Sequence, residues 1–289
     1  MNIRPVTQQE YEFINELCEL SYHKPSQWIG YPRVESVDVL KAEVSEYNNT
    51  VDNCVKVIEH QLKPIGFTGY LHEVGDDEAY IIGPVFLETY HTIKNVKEIL
   101  TKLQMESPFN LLRITTPSNN TVTNAAIDGL CWKQTSQQLE MVYELNQYES
   151  SDHHLDVKPI EDQLIPDVAT LFENVFNWHE SQNQLKHYLN EFGMDAACIF
   201  EGEKLKGAIL WDAVEETNFV RLEDVAVVPE ARRQGIATKL IEHVIQDASS
   251  QSKEDIFLAV DLDHVNAIKL YEKIGFKRNM INVSYEIKS

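Results

Sequence analysis

One order of elements runs through this chain twice, and that repetition constrains the fold more than any other feature. In the second half, Leu155–Pro159 reads as a short strand. Asp162–Phe176 carries Leu164, Ile165, Val168, Leu171, Phe172 and Val175 at helical spacing, with Pro166 in the first turn. A second helix is predicted over Ser181–Glu191, stopped by Gly193. Strands follow at Ala196–Phe200, Leu205–Val214 and Phe219–Val228, then a helix at Gly235–Ala248. A strand at Ile256–Val260, a helix at Ala267–Ile274 ended by Gly275, and a strand region from Phe276 to Ile287 complete the set. Slid back by about 144 residues, the first half shows the same succession. It runs through Asn2–Val6, Gln8–Ser21, Val37–Tyr47, Cys54–His60, Ile65–His72, Ala79–Phe86, Val96–Met105, Leu111–Thr115, Asn124–Leu130 and Gln138–Leu145. The shared order is β-α-α-β-β-β-α-β-α-β. It predicts two tandem α/β (α+β) domains, each a mixed sheet flanked by helices, at 1–147 and 153–289. The polar stretch Gln147–His154 would link them. A single larger mixed fold with accidental order is the rival.

Composition narrows the partners. With 46 acidic against 25 basic side chains, the net charge is −21, which repels phosphate backbones and argues against nucleic acid. The negative field suits a cationic substrate, although solubility alone accounts for it as well. No apolar run is long enough to span a membrane, and the N-terminus lacks a signal-peptide core, so a cytoplasmic protein is expected. Cys18, Cys54, Cys131 and Cys198 stand far apart without a CxxC pair. Neither a metal site nor a disulfide framework is predicted, and all four read as buried, reduced thiols.

The informative run is Leu222-Glu223-Asp224-Val225-Ala226-Val227-Val228-Pro229-Glu230-Ala231-Arg232-Arg233-Gln234-Gly235-Ile236-Ala237. A strand turns into a helix through R-x-x-G-x-A. A helix N-terminus offers unpaired N–H groups and a positive dipole end. Gly235 would let backbone approach a ligand, Ala237 keeps the first turn small, and Arg232 and Arg233 add charge. These are the parts of a pyrophosphate site. A second signal lies downstream, Asn266-Ala267-Ile268-Lys269-Leu270-Tyr271-Glu272-Lys273-Ile274-Gly275-Phe276.

With both runs in view, the second half resembles the GNAT superfamily, the Gcn5-related N-acetyltransferases. That resemblance implies a mostly antiparallel sheet whose fourth strand carries a bulge and splays from the fifth, with acetyl-CoA in the wedge. By motif position, Val225, Ala226 and Val227 would pair with the pantetheine arm. Arg232, Arg233, Gln234, Gly235, Ile236 and Ala237 would hold the pyrophosphate. Tyr271 falls where many members place a general acid for the departing thiolate, the alternative being a tyrosine packed on the sheet. His264 stands where the family often has Asn, with Asn266 next to the Ala. It is either a cofactor contact, a base, or an exposed loop histidine.

Transfer to an amine needs a proton acceptor, because an aliphatic amine is mostly protonated at pH 7. Glu223 is the first choice and Asp224 the second. Strand alternation would send at most one of them to the cleft, and a surface carboxylate paired with Arg221 is the competing reading of Glu223. The run "L-E-D" followed by "V-x-P-E-x-R" is similar to the polyamine acetyltransferases. Acceptor choice is expected at the loop between the first two helices of this half. There Phe176, Trp178 and Glu180 would suit a cation, or packing against the other domain.

The matching stretch of the first half, Pro84 to Val96, has no R-x-x-G-x-A. Bulky Ile93 and Val96 would fill a pyrophosphate's room, and the place of Tyr271 falls near Ile127. This half is expected to be a degenerate GNAT-like domain, structural or forming a wall of the substrate site. The expected function is acetyl-CoA-dependent N-acetyl transfer to a primary amine, with a small cationic metabolite favoured. Protein N-termini or lysines, and a non-catalytic acyl-CoA-binding scaffold, are the alternatives. Oligomeric state is left open between a monomer whose tandem domains form a pseudo-dimer and a homodimer.

Overall fold

The computed structural model describes the chain except residues 28–30, 33, 149–155, 214–216 and 289. The first ten elements are β1 (Asn2–Pro5), α1 (Tyr11–His23), α2 (Val37–Ser45), α3 (Val51–Cys54), β2 (Val55–His60), β3 (Lys63–Leu71), β4 (Glu78–Phe86), α4 (Ile93–Met105), β5 (Leu111–Pro117) and α5 (Thr121–Asp128). Then come β6 (Lys133–Glu144), β7 (Lys158–Pro159), α6 (Ile165–Phe176), α7 (Ser181–Asn190), β8 (Asp195–Glu201) and β9 (Lys204–Asp212). The last five are β10 (Phe219–Val227), α8 (Ile236–Ser250), β11 (Asp255–Asp261), α9 (Val265–Ile274) and β12 (Lys277–Lys288). The expected order thus appears in both halves. Of the expected strand Leu155–Pro159, Leu155 lies outside the described residues, as does most of the expected linker.

The chain divides into two compact units, Met1–Leu139 with Met280–Ser289, and Glu140–Asn279. These are not the two sequence halves, because the final strands are exchanged. In the first unit the strand order is β1-β2-β3-β4-β5-β12. The last strand of the chain pairs antiparallel with β5, from Asn282↔Pro117 to Lys288↔Leu111. In the second unit the order is β6-β11-β10-β9-β8-β7, so the strand beside β11 comes from the first half of the sequence. Periodicity locates a strand but says nothing about which of two similar edges it joins, so the sequence division could not show this.

Each helix is placed by its apolar stripe. Along α8, Leu240, Ile241, Val244, Ile245 and Ala248 are buried, and along α4, Val96, Ile99, Leu100 and Leu103. Burying such a side chain stabilises by roughly 1.5–3 kcal/mol, which holds the helix starts firmly against the sheet. In the second unit a core of Ile165, Val168, Phe172, Leu185, Cys198, Ala208, Leu210 and Ala226 lies between α6, α7 and the sheet. Cys18, Cys54 and Cys198 are buried free thiols; Cys131 is exposed, contrary to expectation, because it sits in the turn between α5 and β6. Among the described residues no helix is long and apolar enough to cross a membrane, and no group of His, Cys, Asp and Glu is arranged to hold a metal ion.

Candidate active site

The second unit contains a wedge. Strands β10 and β11 run parallel from Phe219↔Asp255 to Leu222↔Leu258, and the pairing ends there. On its other edge β10 continues beside β9, from Asp224↔Leu210 to Val227↔Gly207. The edge of Asp224–Val227 that faces away from β9 is therefore outside the β11 ladder, with backbone groups that an extended ligand can use; Val227 O already accepts from Arg232 Nε.

A bulge sets the wedge off. Leu222 pairs with Trp211 and Asp224 with Leu210, so Glu223 is the extra residue. The bulge overturns the expectation that only one of Glu223 and Asp224 reaches the cleft. Arg221 and Asp224 are three apart yet face the same side, since their partners Asp212 and Leu210 are two apart. Glu223, between them, reaches the same group: its Oε1 lies 3.7 Å from Arg221 Nε. Arg221 also pairs with another carboxylate, buried Asp212, at 2.5 Å from Nη2. The pairing of Glu223 with Arg221 considered from sequence is thus the outer contact of a three-member chain.

The electrostatics follow from this crowding. Glu223 keeps 40% of its side-chain exposure while protein surrounds it, as a group on the floor of an open cleft does. Desolvation raises its affinity for a proton, Arg221 lowers it, and Asp212 raises it again. Asp224, desolvated and beside Glu223, is pushed up to about 7. Tyr271, on α9, is pushed up to about 12 by burial and by the charge of Asp224. The phenol therefore keeps its proton at neutral pH. Tyr271 is held edge-on to Phe276 at 5.7 Å between ring centroids, and Phe276 lies 5.4 Å from Tyr143 of β6. Gly275 ends α9 at φ +122°, and a Cβ there would stand 3.1 Å from the Tyr143 ring. The exchanged strand thus buttresses the tyrosine.

The turn from β10 into α8 carries the R-x-x-G-x-A run. Pro229–Ala231 makes a 3₁₀ turn and Gly235 precedes α8 at φ +81°, a left-handed conformation suited to glycine. An added Cβ on Gly235 would meet nothing within 4 Å, so the space above the turn is open. Arg233 is also left-handed, at φ +65°, and Arg232 through Gly235 are exposed. Arg232 Nε donates to Val227 O at 3.2 Å, and the Gln234 amide to Glu230 O at 2.9 Å. No side chain caps α8, so its first N–H groups point at that open space. Gly207 on β9, a residue the motif reading passed over, seats the helix: its Cβ would stand 2.8 Å from Ala226 O and 2.9 Å from Ile236 Cγ2. Ile236 and Ala237 form the half-buried first turn. This cradle fits a pyrophosphate, and the free edge of β10 fits a pantetheine arm.

The remaining predicted residues lie outside this core. His264 and Asn266 are exposed at the start of α9, and the His264 side chain does not cap it. Trp178 packs within its own unit, 5.0 Å from Phe172 and 5.4 Å from Tyr188; Phe176 is 5.7 Å from Phe172. Glu180 is exposed, at φ +47° before α7.

Comparison with known proteins agrees with this geometry. The model of the acetyltransferase (GNAT) family matches residues 162–276. The alanine N-acetyltransferase of ribosomal protein bS18 from Escherichia coli is 30% identical over 115 residues, 39% of this chain and 72% of that protein. The chain belongs to the GNAT acetyltransferase family. N-alpha-acetyltransferase 30 of Schizosaccharomyces pombe is 23% identical over 125 residues, 42% of this chain and 83% of that one. Among solved structures, a GCN5-related N-acetyltransferase from Sphaerobacter thermophilus aligns with a TM-score of 0.74 at 13% identity, covering 99% of this chain and 95% of that one. A tandem GNAT protein from the clavulanic acid biosynthesis pathway aligns at 0.67 and 11%, covering 99% and 98%. These two share the fold over the whole chain, so the first half of this GNAT enzyme has a GNAT-like fold too.

Proposed function

We propose that this enzyme transfers an acetyl group from acetyl-CoA to a primary amine, in a ternary complex, at a single site in its second unit. The first half holds no acetyl-CoA and serves as structure. The observation that carries the reading is the wedge itself, a free β10 edge leading from an acid cluster to an uncapped helix start.

The bound thioester supplies an activated acyl carbon. The chain's own residues do the rest. Backbone groups of Val225, Ala226 and Val227 align the pantetheine arm, and the turn Arg232 to Gly235, with the N–H groups of Ile236 and Ala237, binds the pyrophosphate. One bulge carboxylate, Glu223 or Asp224, takes a proton from the acceptor's ammonium and releases it to solvent. The freed nitrogen lone pair forms the N–C bond as the C–S bond breaks. Tyr271 gives its proton to the sulfur and regains one from the attacking nitrogen. Desolvation that holds Tyr271 protonated supports its role as acid.

The acceptor we favour is a small cationic amine, because Asp212, Glu223 and Asp224 outnumber Arg221 at the cleft. A protein N-terminus is the second reading, favoured by the likeness to the bS18-alanine and N-alpha-acetyltransferases. Free-thiol release with acetyl-CoA, run against diamines and against peptides with free N-termini, separates the two. Turnover of peptides alone would reject the small-amine reading, and binding of two acetyl-CoA molecules per chain would reject the single site.

A further inference from the structure

The bulge brings two carboxylates side by side, and an acetyl transfer as proposed above needs two different services from them: a fixed negative charge to attract the ammonium, and a base to take its proton. Geometry distinguishes the pair. Arg221 is tethered at its outer end to buried Asp212 at 2.5 Å, which fixes the guanidinium. Its inner Nε then lies 3.7 Å from Glu223 Oε1. Asp224, the next residue, pairs with no cation among the described contacts, and its charge acts on Tyr271.

We propose that Arg221 is a positioning residue that divides the work, holding Glu223 as the permanent anion that receives the acceptor's ammonium and leaving Asp224 as the base. This rests on the transferase reading of the same site. Among the described residues the charged and titratable groups around the pair are Asp212 from β9, Arg221 from β10 and the phenol of Tyr271 from α9. Burial raises the proton affinity of both carboxylates; Arg221 opposes that rise at Glu223, whereas at Asp224 the charge of Glu223 adds to it.

The test needs no acceptor. Carboxyl carbon-13 NMR titrations of the full chain, assigned with Glu223→Gln and Asp224→Asn, give the two midpoints directly. Glu223 is expected to titrate below Asp224. Arg221→Gln should raise the Glu223 midpoint by about one pH unit or more, a tenfold gain in proton affinity. Arg221→Lys should hold it near the starting value, and Asp212→Asn should lower it, by removing a negative charge and freeing the guanidinium for Glu223. A bridge that merely ties β9 to β10 would change stability and leave the midpoints where they were. Should Arg221→Gln not fold, Arg221→Met compared with Arg221→Lys decides: the Glu223 midpoint should rise with methionine and hold with lysine. An unmoved Glu223 midpoint, or an Asp224 that titrates first, overturns the assignment. Acetyl-CoA calorimetry on the same samples keeps the two levels apart: retained binding with unmoved midpoints breaks only the role of Arg221, whereas a wild-type chain that binds no acetyl-CoA breaks the transferase site.

Discussion

The two units carry the same wedge, and only one is open. In the first, β4 pairs parallel with β5 from Glu78↔Leu111 to Tyr80↔Arg113, then runs on to Phe86 beside β3, through an irregularity opposite Thr68. The counterpart contacts agree atom for atom: Leu87 N donates to Ile65 O as Val228 N donates to Lys206 O. The difference lies in the passage to the next helix. Between the 3₁₀ turn and the helix the second unit has Arg232 to Gly235, whereas the first has only His91 and Thr92. Thr92 then caps α4, its side chain accepting from Asn95 N at 3.3 Å, so the first turn is turned inward on itself. The wedge is also occupied from within. Tyr31 forms a β-bridge with Thr115 of β5, and buried Gln27 accepts a hydrogen bond from Phe86 N at 3.3 Å. In the second unit the matching connection, Asn177–Glu180, is short. On the proposed single-site reading, the first unit differs from the second less in its side chains than in a shorter turn and a longer loop.

The largest effect should come from cutting between the halves. Residues 153–289 made alone lack β6 and leave β12 without β5, so they should show no cooperative unfolding transition in urea; a cooperative transition would break the exchanged-strand comparison. Next, Gly235→Glu places a carboxylate in the anion cradle and a side chain at φ +81°, and calorimetry should find no acetyl-CoA binding. The matching change Thr92→Glu should leave binding intact. Third, Tyr271→Phe should lower kcat by about 100-fold with acetyl-CoA affinity unchanged; α5 has no tyrosine to mirror it.

Smaller effects sharpen the contrast. Gln27→Ala strands the Phe86 N–H and should cost about 2 kcal/mol in urea unfolding, with one acetyl-CoA site still found; a second site would mean that the loop alone keeps the first unit closed. Finally, the carboxyl of Asp224 binds its proton more tightly folded than unfolded. The folded state therefore loses stability as pH rises from about 3.8 toward about 7. Asp224→Asn should raise Tm by a few degrees at pH 8 and little at pH 4. In the wild type kcat/KM should climb through about pH 7 as the same proton leaves.

Much of this was legible in the residues. Apolar spacing located the helices and strands, and R-x-x-G-x-A before α8 marked the cradle, because a glycine at a left-handed helix start leaves a written trace. The absence of R-x-x-G-x-A from the first half, on which the proposal of a single site rests, was legible too. Val96 is buried in the core, so of the two bulky residues only the half-exposed Ile93 faces outward at the start of α4, beside the Thr92 cap and the shorter turn.

The features that residues dictate unaided are local: periodicity, turn chemistry and the motif, each set within a few positions along the chain. Three outcomes belong to the tertiary structure. It chose which sheet edge each final strand joins, since β6 and β12 present equivalent edges to β11 and β5. It turned Glu223 and Asp224 to one side, because a bulge depends on the register with β9. And it brought Gln27 and Tyr31 to the first wedge across a separation in sequence that no spacing rule spans.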